Sequence, residues 1–213
     1  MNRYAALILF AVIGQGLTLA QKYEVSPLGA YMRFGHSALG SIWAEDPGDK
    51  DTTIKLRTGI GGRLTYNQWN YFGHEVGYIR YTGDVTTTVR PTGAPPEGLK
   101  LTDSAQITLG SYNFLVYMMP RGERFRPYFT GGVQMYKYAD AHFGEYGDMM
   151  GGTTYGANYG GGLKIRLFKH AQLRVDARDY IGGKPYDLKF KVPSDSGGIV
   201  HTLEGSVGLG ITF

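Results

Sequence analysis

The chain contains no cysteine, which excludes disulfide staples, thiolate metal centres and a cysteine nucleophile. It also lacks a long apolar run after its first residues: the longest, "FLVYMM" at Phe114 to Met119, falls far short of the ~20 apolar residues a spanning helix needs. No Lys/Arg block appears. Lys and Arg total 22 against 18 Asp and Glu, a formal net charge of +4 spread along the chain, with nothing to track a phosphate backbone, so nucleic acid is not an expected partner. The Gly-rich "NYGGGLK" lacks the Lys-Ser/Thr ending of a phosphate loop and reads as strand.

What is present is glycine and tyrosine, 33 and 17 of 213 residues, a balance that disfavours helix and suits strands. The first residues, "MNRYAALILFAVIGQGLTLAQ", place Arg3 before an apolar run, followed by small Thr18 and Ala20. That layout predicts a secretory signal peptide over residues 1–20, cut before Gln21 and leaving a single domain over 21–213.

Alternation with period two recurs along that domain. In the last strand Leu203, Gly205, Val207, Leu209, Ile211 and Phe213 fall on one face, and Thr202, Glu204, Ser206, Gly208, Gly210 and Thr212 on the other. "TIKLRTGIGGRLTY", "NYGGGLKIRLF" and "QLRVDARDYI" split the same way, whereas "YEVSPLGAYMRF" and "SAQITLGSYNFLVYMM" mix their faces. The pattern predicts about eight strands, each long enough to cross a bilayer at a tilt. Long connections (35–52, 83–102, 140–154, 182–200) alternate with short turns, so the long loops gather at one end. Aromatics near both ends imply two belts.

Two barrels fit such alternation. In a soluble, lipocalin-like barrel the apolar face points inward; in a membrane barrel it points to lipid. Gly59, Gly61, Gly208 and Gly210 share the polar face with long charged residues, which suits the crowded interior of an eight-stranded barrel and has no purpose on a solvated surface. The expected interior charges are Lys55, Arg57, Arg63, Glu75, Lys164, Arg166, Arg174, Asp176, Arg178 and Glu204. Buried charges require partners, so a plugged lumen with a cationic bias is expected, not an open pore.

"RPYFTGGVQM", "FGHEVGY" with its glutamate, and a final strand ending at Phe213 resemble the small outer-membrane β-barrel proteins of the OmpA transmembrane-domain and OmpX type. That resemblance implies an all-β, eight-stranded antiparallel up-and-down barrel in a Gram-negative-type outer membrane, in contact with outer-membrane lipid. It also implies insertion by the barrel assembly machinery, with Val207, Leu209, Ile211 and Phe213 as the C-terminal assembly signal. Members serve as adhesins and structural proteins and occasionally as lipid A-modifying enzymes.

A catalytic site would need a nucleophile, a base and an orienting group together. His36, His142 and His201 are the histidines placed toward the long loops; His36 adjoins Ser37, but neighbouring strand residues face opposite ways. No catalytic residue is assigned. Glu45, Asp46, Asp49 and Asp51 in "EDPGDKD" do not follow a calcium-loop spacing, and Lys50 stands among them, so neither metal nor cofactor is expected. The reading is a non-enzymatic, monomeric surface protein with a structural or adhesive role, whose loops meet an extracellular partner. A lipid A-modifying barrel enzyme and a lipocalin-like binding barrel are the alternatives.

Overall fold

The computed structural model describes residues 22–35, 52–89, 93, 95, 97–146, 148–183 and 199–213. The proposed signal peptide, the acidic residues Glu45, Asp46, Asp49 and Asp51, His36, and residues 184–198 lie outside these.

Alternating sequence becomes long antiparallel strands: β1 (Tyr23–Phe34), β2 (Thr53–Tyr66), β3 (Phe72–Val89), β4 (Leu99–Tyr117) and β5 (Phe125–Tyr138). After a small excursion containing β6 (Ala141–His142), a 3₁₀ turn (Gly144–Tyr146) and β7 (Asp148–Met149), the chain resumes with β8 (Thr153–Arg166), β9 (Ala171–Gly182) and β10 (Val200–Thr212). The eight long strands close into one barrel in the order β1-β10-β9-β8-β5-β4-β3-β2. Closure removes the free edges that an open sheet would expose. The seam is the β1–β10 ladder, from Glu24 opposite Thr212 to Phe34 opposite Thr202. No α-helix occurs among the described residues.

The outer wall is apolar. Ile60, Leu64, Val76, Phe129, Val133, Leu203, Val207, Leu209 and Ile211 are all exposed, while their sequence neighbours turn inward. Inward glycines make room for inward side chains. A Cβ on Gly59 would overlap the Tyr81 ring, and one on Gly162 would stand 2.6 Å from the Tyr128 hydroxyl.

Three expectations need correction. The long connection expected over 83–102 is mostly strand, because β3 runs to Val89 and β4 starts at Leu99. Threonines and valines at alternating positions continue the ladder there, with Thr86 Oγ1 and Thr102 Oγ1 3.1 Å apart. Since the β2–β3 ladder ends at Thr86 and the β4–β5 ladder at Ile107, this hairpin continues past both as a two-stranded arm, one face of which is buried through Val85, Thr87 and Val89. Second, the segment 140–154 folds back: Ala141, Phe143 and Met149 are buried in the same cluster as Met32, Phe34 and Tyr138, so β6 and β7 form a lid over the loop end. Third, the aromatic belt expected toward the long loops, with Phe34, Tyr78, Tyr81, Tyr136, Tyr138, Tyr155 and Tyr180, is largely interior. Tyr81, Tyr136, Tyr138 and Tyr180 are buried, and only a few rings such as Tyr78 and Tyr155 face outward at that level.

Candidate functional site

The lumen has two tiers. Toward the loop end it is apolar, filled by Met32, Phe34, Ile79, Tyr81, Val85, Ile107, Leu109, Tyr136 and Tyr180 under the lid. Toward the turn end it is charged. β1 supplies Glu24, β2 Arg63, β3 Glu75, β8 Lys164, β9 Arg174, Asp176 and Arg178, and β10 Glu204, all with buried side chains.

These eight groups bond mainly to one another. Arg174 contacts Glu75 Oε2 through Nη1 at 2.5 Å and Asp176 Oδ2 through Nε at 2.7 Å. Arg63 bridges Glu204 Oε1 at 2.5 Å and Asp176 Oδ2 at 2.8 Å. Arg178 Nη2 donates to Glu75 Oε1 at 2.7 Å, and Lys164 Nζ donates to Glu24 and, at 3.0 Å, to the Tyr117 hydroxyl. Tyr81 and Tyr180 both donate to Glu204 Oε2, at 2.6 and 2.9 Å, joining the apolar tier to the charged one; Tyr128 donates to Asp176. A buried charge costs several kcal/mol unless compensated, and within the network four cations face four carboxylates, with Arg126 a fifth buried cation at the turn-end mouth.

The residues expected inside divide accordingly. Arg63, Glu75, Lys164, Arg174, Asp176, Arg178 and Glu204 are brought into one network. Arg166 is half-buried at the turn end, where it lines a shallow cavity with Arg126, Lys164 and Lys169. Lys55 is a correction: it is exposed on the outer wall. The cause is a β-bulge between Leu56 and Thr58, whose extra residue reverses the parity, so that Ile54 and Gly59 both face inward. The side chain of Arg57, at that bulge, lies outside the described ones. The cationic bias expected of the whole lumen is confined to its turn-end mouth, where Arg126 stacks 3.3 Å from the Tyr117 ring centroid and donates to Asn67 Oδ1 and the Asn70 carbonyl.

Glu24 is the network member that sequence reading missed. Its strand carries Glu24, Ser26, Leu28, Ala30, Met32 and Phe34 inward, polar at one end and apolar at the other. A strand that crosses two tiers has no uniformly polar face, and its alternation is therefore masked.

At the chain end Val207, Leu209 and Ile211 lie on the outer wall. The Phe213 carbonyl accepts from the amides of Lys22 and Tyr23 at 3.0 and 3.3 Å, and its own amide donates to the Tyr23 carbonyl at 2.9 Å. Of the rim histidines, His142 Nδ1 sits 3.1 Å from Asp148 Oδ1 on the outside of the lid. This hydrogen bond holds the imidazolium and raises the His142 pKa above its ordinary value. His201 Nδ1 is 2.9 Å from Asp179 Oδ2, and the Tyr159 hydroxyl donates to the same oxygen; Ser37 lies outside the described residues. No cluster of three or more metal-ligating side chains occurs among the described residues.

The fold is shared with solved outer-membrane proteins. OprG of Pseudomonas aeruginosa is 14% identical, with a TM-score of 0.62 over 91% of this chain and 97% of that one. Neisserial surface protein A is 15% identical, with a TM-score of 0.54 over 93% and 100%. The N-terminal barrel domain of Pseudomonas aeruginosa OprF is 13% identical, with a TM-score of 0.51 over 91% and 99%. No curated protein sequence matches the chain. A family model does, over residues 5–213, and the outward apolar wall agrees with what that family requires: the chain belongs to the outer membrane protein beta-barrel domain family and is a protein of the outer membrane.

Proposed function

We propose that this is a closed, non-conducting, non-enzymatic outer-membrane barrel that acts at the cell surface through its loop end. The observation that carries the reading is the lumen: an electroneutral network of eight buried charges beneath an apolar core covered by the β6–β7 lid. An ion crossing it would have to break paired charges and then enter a tier of packed Tyr, Ile and Leu side chains. With the interior filled, the parts proposed to act are the β3–β4 arm and the lid, together with the sequence-predicted connections over 35–52 and 182–200, which lie mostly outside the described residues. These support a structural or adhesive role with an extracellular partner. The barrel closes on itself, which supports a monomer.

Val207, Leu209, Ile211 and Phe213 support a role as the signal read by the barrel assembly machinery, since they line the seam strand that must meet β1 last. The test of the main reading is reconstitution in planar bilayers. No steady channel is expected, and a large, constant conductance would refute the plugged lumen. Mass spectrometry of membrane lipids with and without the protein tests the absence of enzyme activity: an unchanged lipid A profile is expected.

A further inference from the structure

Cations gather at the turn end of the barrel, the end that faces the periplasm in membrane barrels of this kind. Lys22, Arg121, Arg124, Arg126, Arg166 and Lys169 lie on the strand ends and turns there, and outside the buried network Glu123 is the acidic side chain among them. Several of these groups meet in one place. The shallow cavity at the mouth is lined by Arg126 of β5, Lys164 and Arg166 of β8 and Lys169 of the β8–β9 turn, with Glu123.

Register brings the cations together. Arg126 on β5 stands opposite Lys164 on β8, and Arg166 follows two residues on, along the same face. Like charges placed opposite each other across a ladder repel, and the carboxylate nearest this pair, Glu24, is taken by Lys164. Arg126 is only 7% exposed, yet the acceptors it meets are neutral. Nε donates to the Met119 carbonyl at 3.2 Å, Nη1 to Asn67 Oδ1 at 3.1 Å and Nη2 to the Asn70 carbonyl at 2.7 Å. A guanidinium has two N–H groups on each terminal nitrogen, so each of these keeps one to spare. The side chains of Arg166 and Lys169 have no hydrogen bond or ion pair among the described residues. With Lys164 balanced by Glu24, the cations Arg126, Arg166 and Lys169 stand against Glu123, and the lining keeps two positive charges.

We propose that this mouth binds a phosphate dianion, either inorganic phosphate or the phosphate of a small, water-soluble monoester. A buried cation without a counter-charge costs several kcal/mol, and an anion seated on Arg126 supplies the missing charge. Phosphate fits by both charge and shape. A phosphate monoester carries about −1.5 to −2 near pH 7 and presents three strong acceptor oxygens. That matches the two charges left on the lining and donors arriving from β5, β8 and the β8–β9 turn. A carboxylate brings a single charge on two oxygens. Arginine, which supplies two of the three unbalanced cations, donates to phosphate in a forked, bidentate geometry. The mouth opens along the barrel axis into water and not onto the apolar wall, so the ligand is a periplasmic solute. Neither a closed lumen nor a surface role for the loop end is required, only an accessible mouth.

The test uses the full chain folded in micelles of an uncharged detergent, which leave both barrel mouths open to water. Isothermal titration calorimetry with inorganic phosphate, at constant ionic strength, is expected to show saturable binding of one phosphate per barrel. Glycerol phosphate, a monoester, should bind as well; whichever of the two binds more tightly identifies the source, and either supports the site. Dimethyl phosphate, a singly charged diester, should bind about tenfold more weakly or worse, because it has lost a charge and two acceptor oxygens. Arg126→Gln with Arg166→Gln is expected to weaken phosphate binding about tenfold or more, through loss of hydrogen bonds from charged donors. Arg33→Gln with Arg80→Gln, at the loop end, should leave it unchanged. Heat-modifiable gel migration verifies folding of each variant. If the Arg126 variant does not fold, Arg166→Gln with Lys169→Gln, on the more exposed side of the cavity, is expected to weaken binding in the same direction. Absence of saturable phosphate binding, equal affinity for dimethyl phosphate, or equal affinity in the turn-end variants and wild type would overturn the proposal.

Discussion

Replacing Glu75 by glutamine should unbalance the lumen. The carboxylate touches three guanidinium groups: Arg174 at 2.5 Å, Arg178 at 2.7 Å and Arg63 at 3.6 Å, with no side-chain exposure on any of the four residues. Glutamine keeps the shape but removes the charge, leaving four buried cations against three carboxylates. Removing one partner of a buried pair typically costs about 3–5 kcal/mol, because the stranded charge has no water to turn to. Burial also shields the network from salt, so the loss should persist at high ionic strength. Urea unfolding in lipid vesicles, followed by tryptophan fluorescence, measures the effect, since Trp69 in the β2–β3 turn packs edge-on against Phe72, ring centroids 6.0 Å apart, and loses that contact on unfolding. The control is Glu75→Gln combined with Arg178→Met, which restores neutrality. Residues sharing one network couple by about 0.5–3 kcal/mol, so the double variant should be more stable than the sum of the two singles predicts. A Glu75→Gln loss below about 1 kcal/mol, or simple additivity in the double variant, would refute the view that the network is held by charge balance.

Deleting Phe213 removes the three backbone hydrogen bonds that tie the chain end to Lys22 and Tyr23; the folded, heat-modifiable fraction in outer membranes should fall while export across the inner membrane continues. Gly162→Ala places a methyl 2.6 Å from both the Tyr128 hydroxyl and the Val175 carbonyl, and overpacking of this kind costs about 1–3 kcal/mol, read as a lower urea midpoint. His142 should titrate above its ordinary value because Asp148 stabilises its charged form. The lid contact it provides is fully present below the ordinary histidine range and is lost as pH rises through the raised folded-state value. The NMR titration of the His142 ring checks this: Asp148→Asn should bring the midpoint down, and an unmoved midpoint would remove the pair from the account.

Period-two alternation was enough to read strand, barrel and lipid-facing wall, because a pleated strand sends each side chain opposite to the last. The final strand is the clearest example: Leu203, Val207, Leu209 and Ile211 stand outside and Thr202, Glu204, Ser206 and Gly208 inside, as their order alone requires. Parity counting cannot detect an inserted residue, however. The bulge at Leu56/Thr58 depends on how β2 pairs with β3, and it alone decided that Lys55 meets the outside. Nor does alternation say how the interior is layered. Tyr81, Tyr136 and Tyr180 have the composition of a membrane belt, and only the closed sheet, by bringing them to one level with Met32 and Phe34, made them a core. Glu24 lies 140 residues from Lys164 in the chain. Their pairing, like that of Glu75 with Arg178 or Arg63 with Glu204, exists because eight strands were wrapped at one register into a cylinder narrow enough for opposite walls to touch.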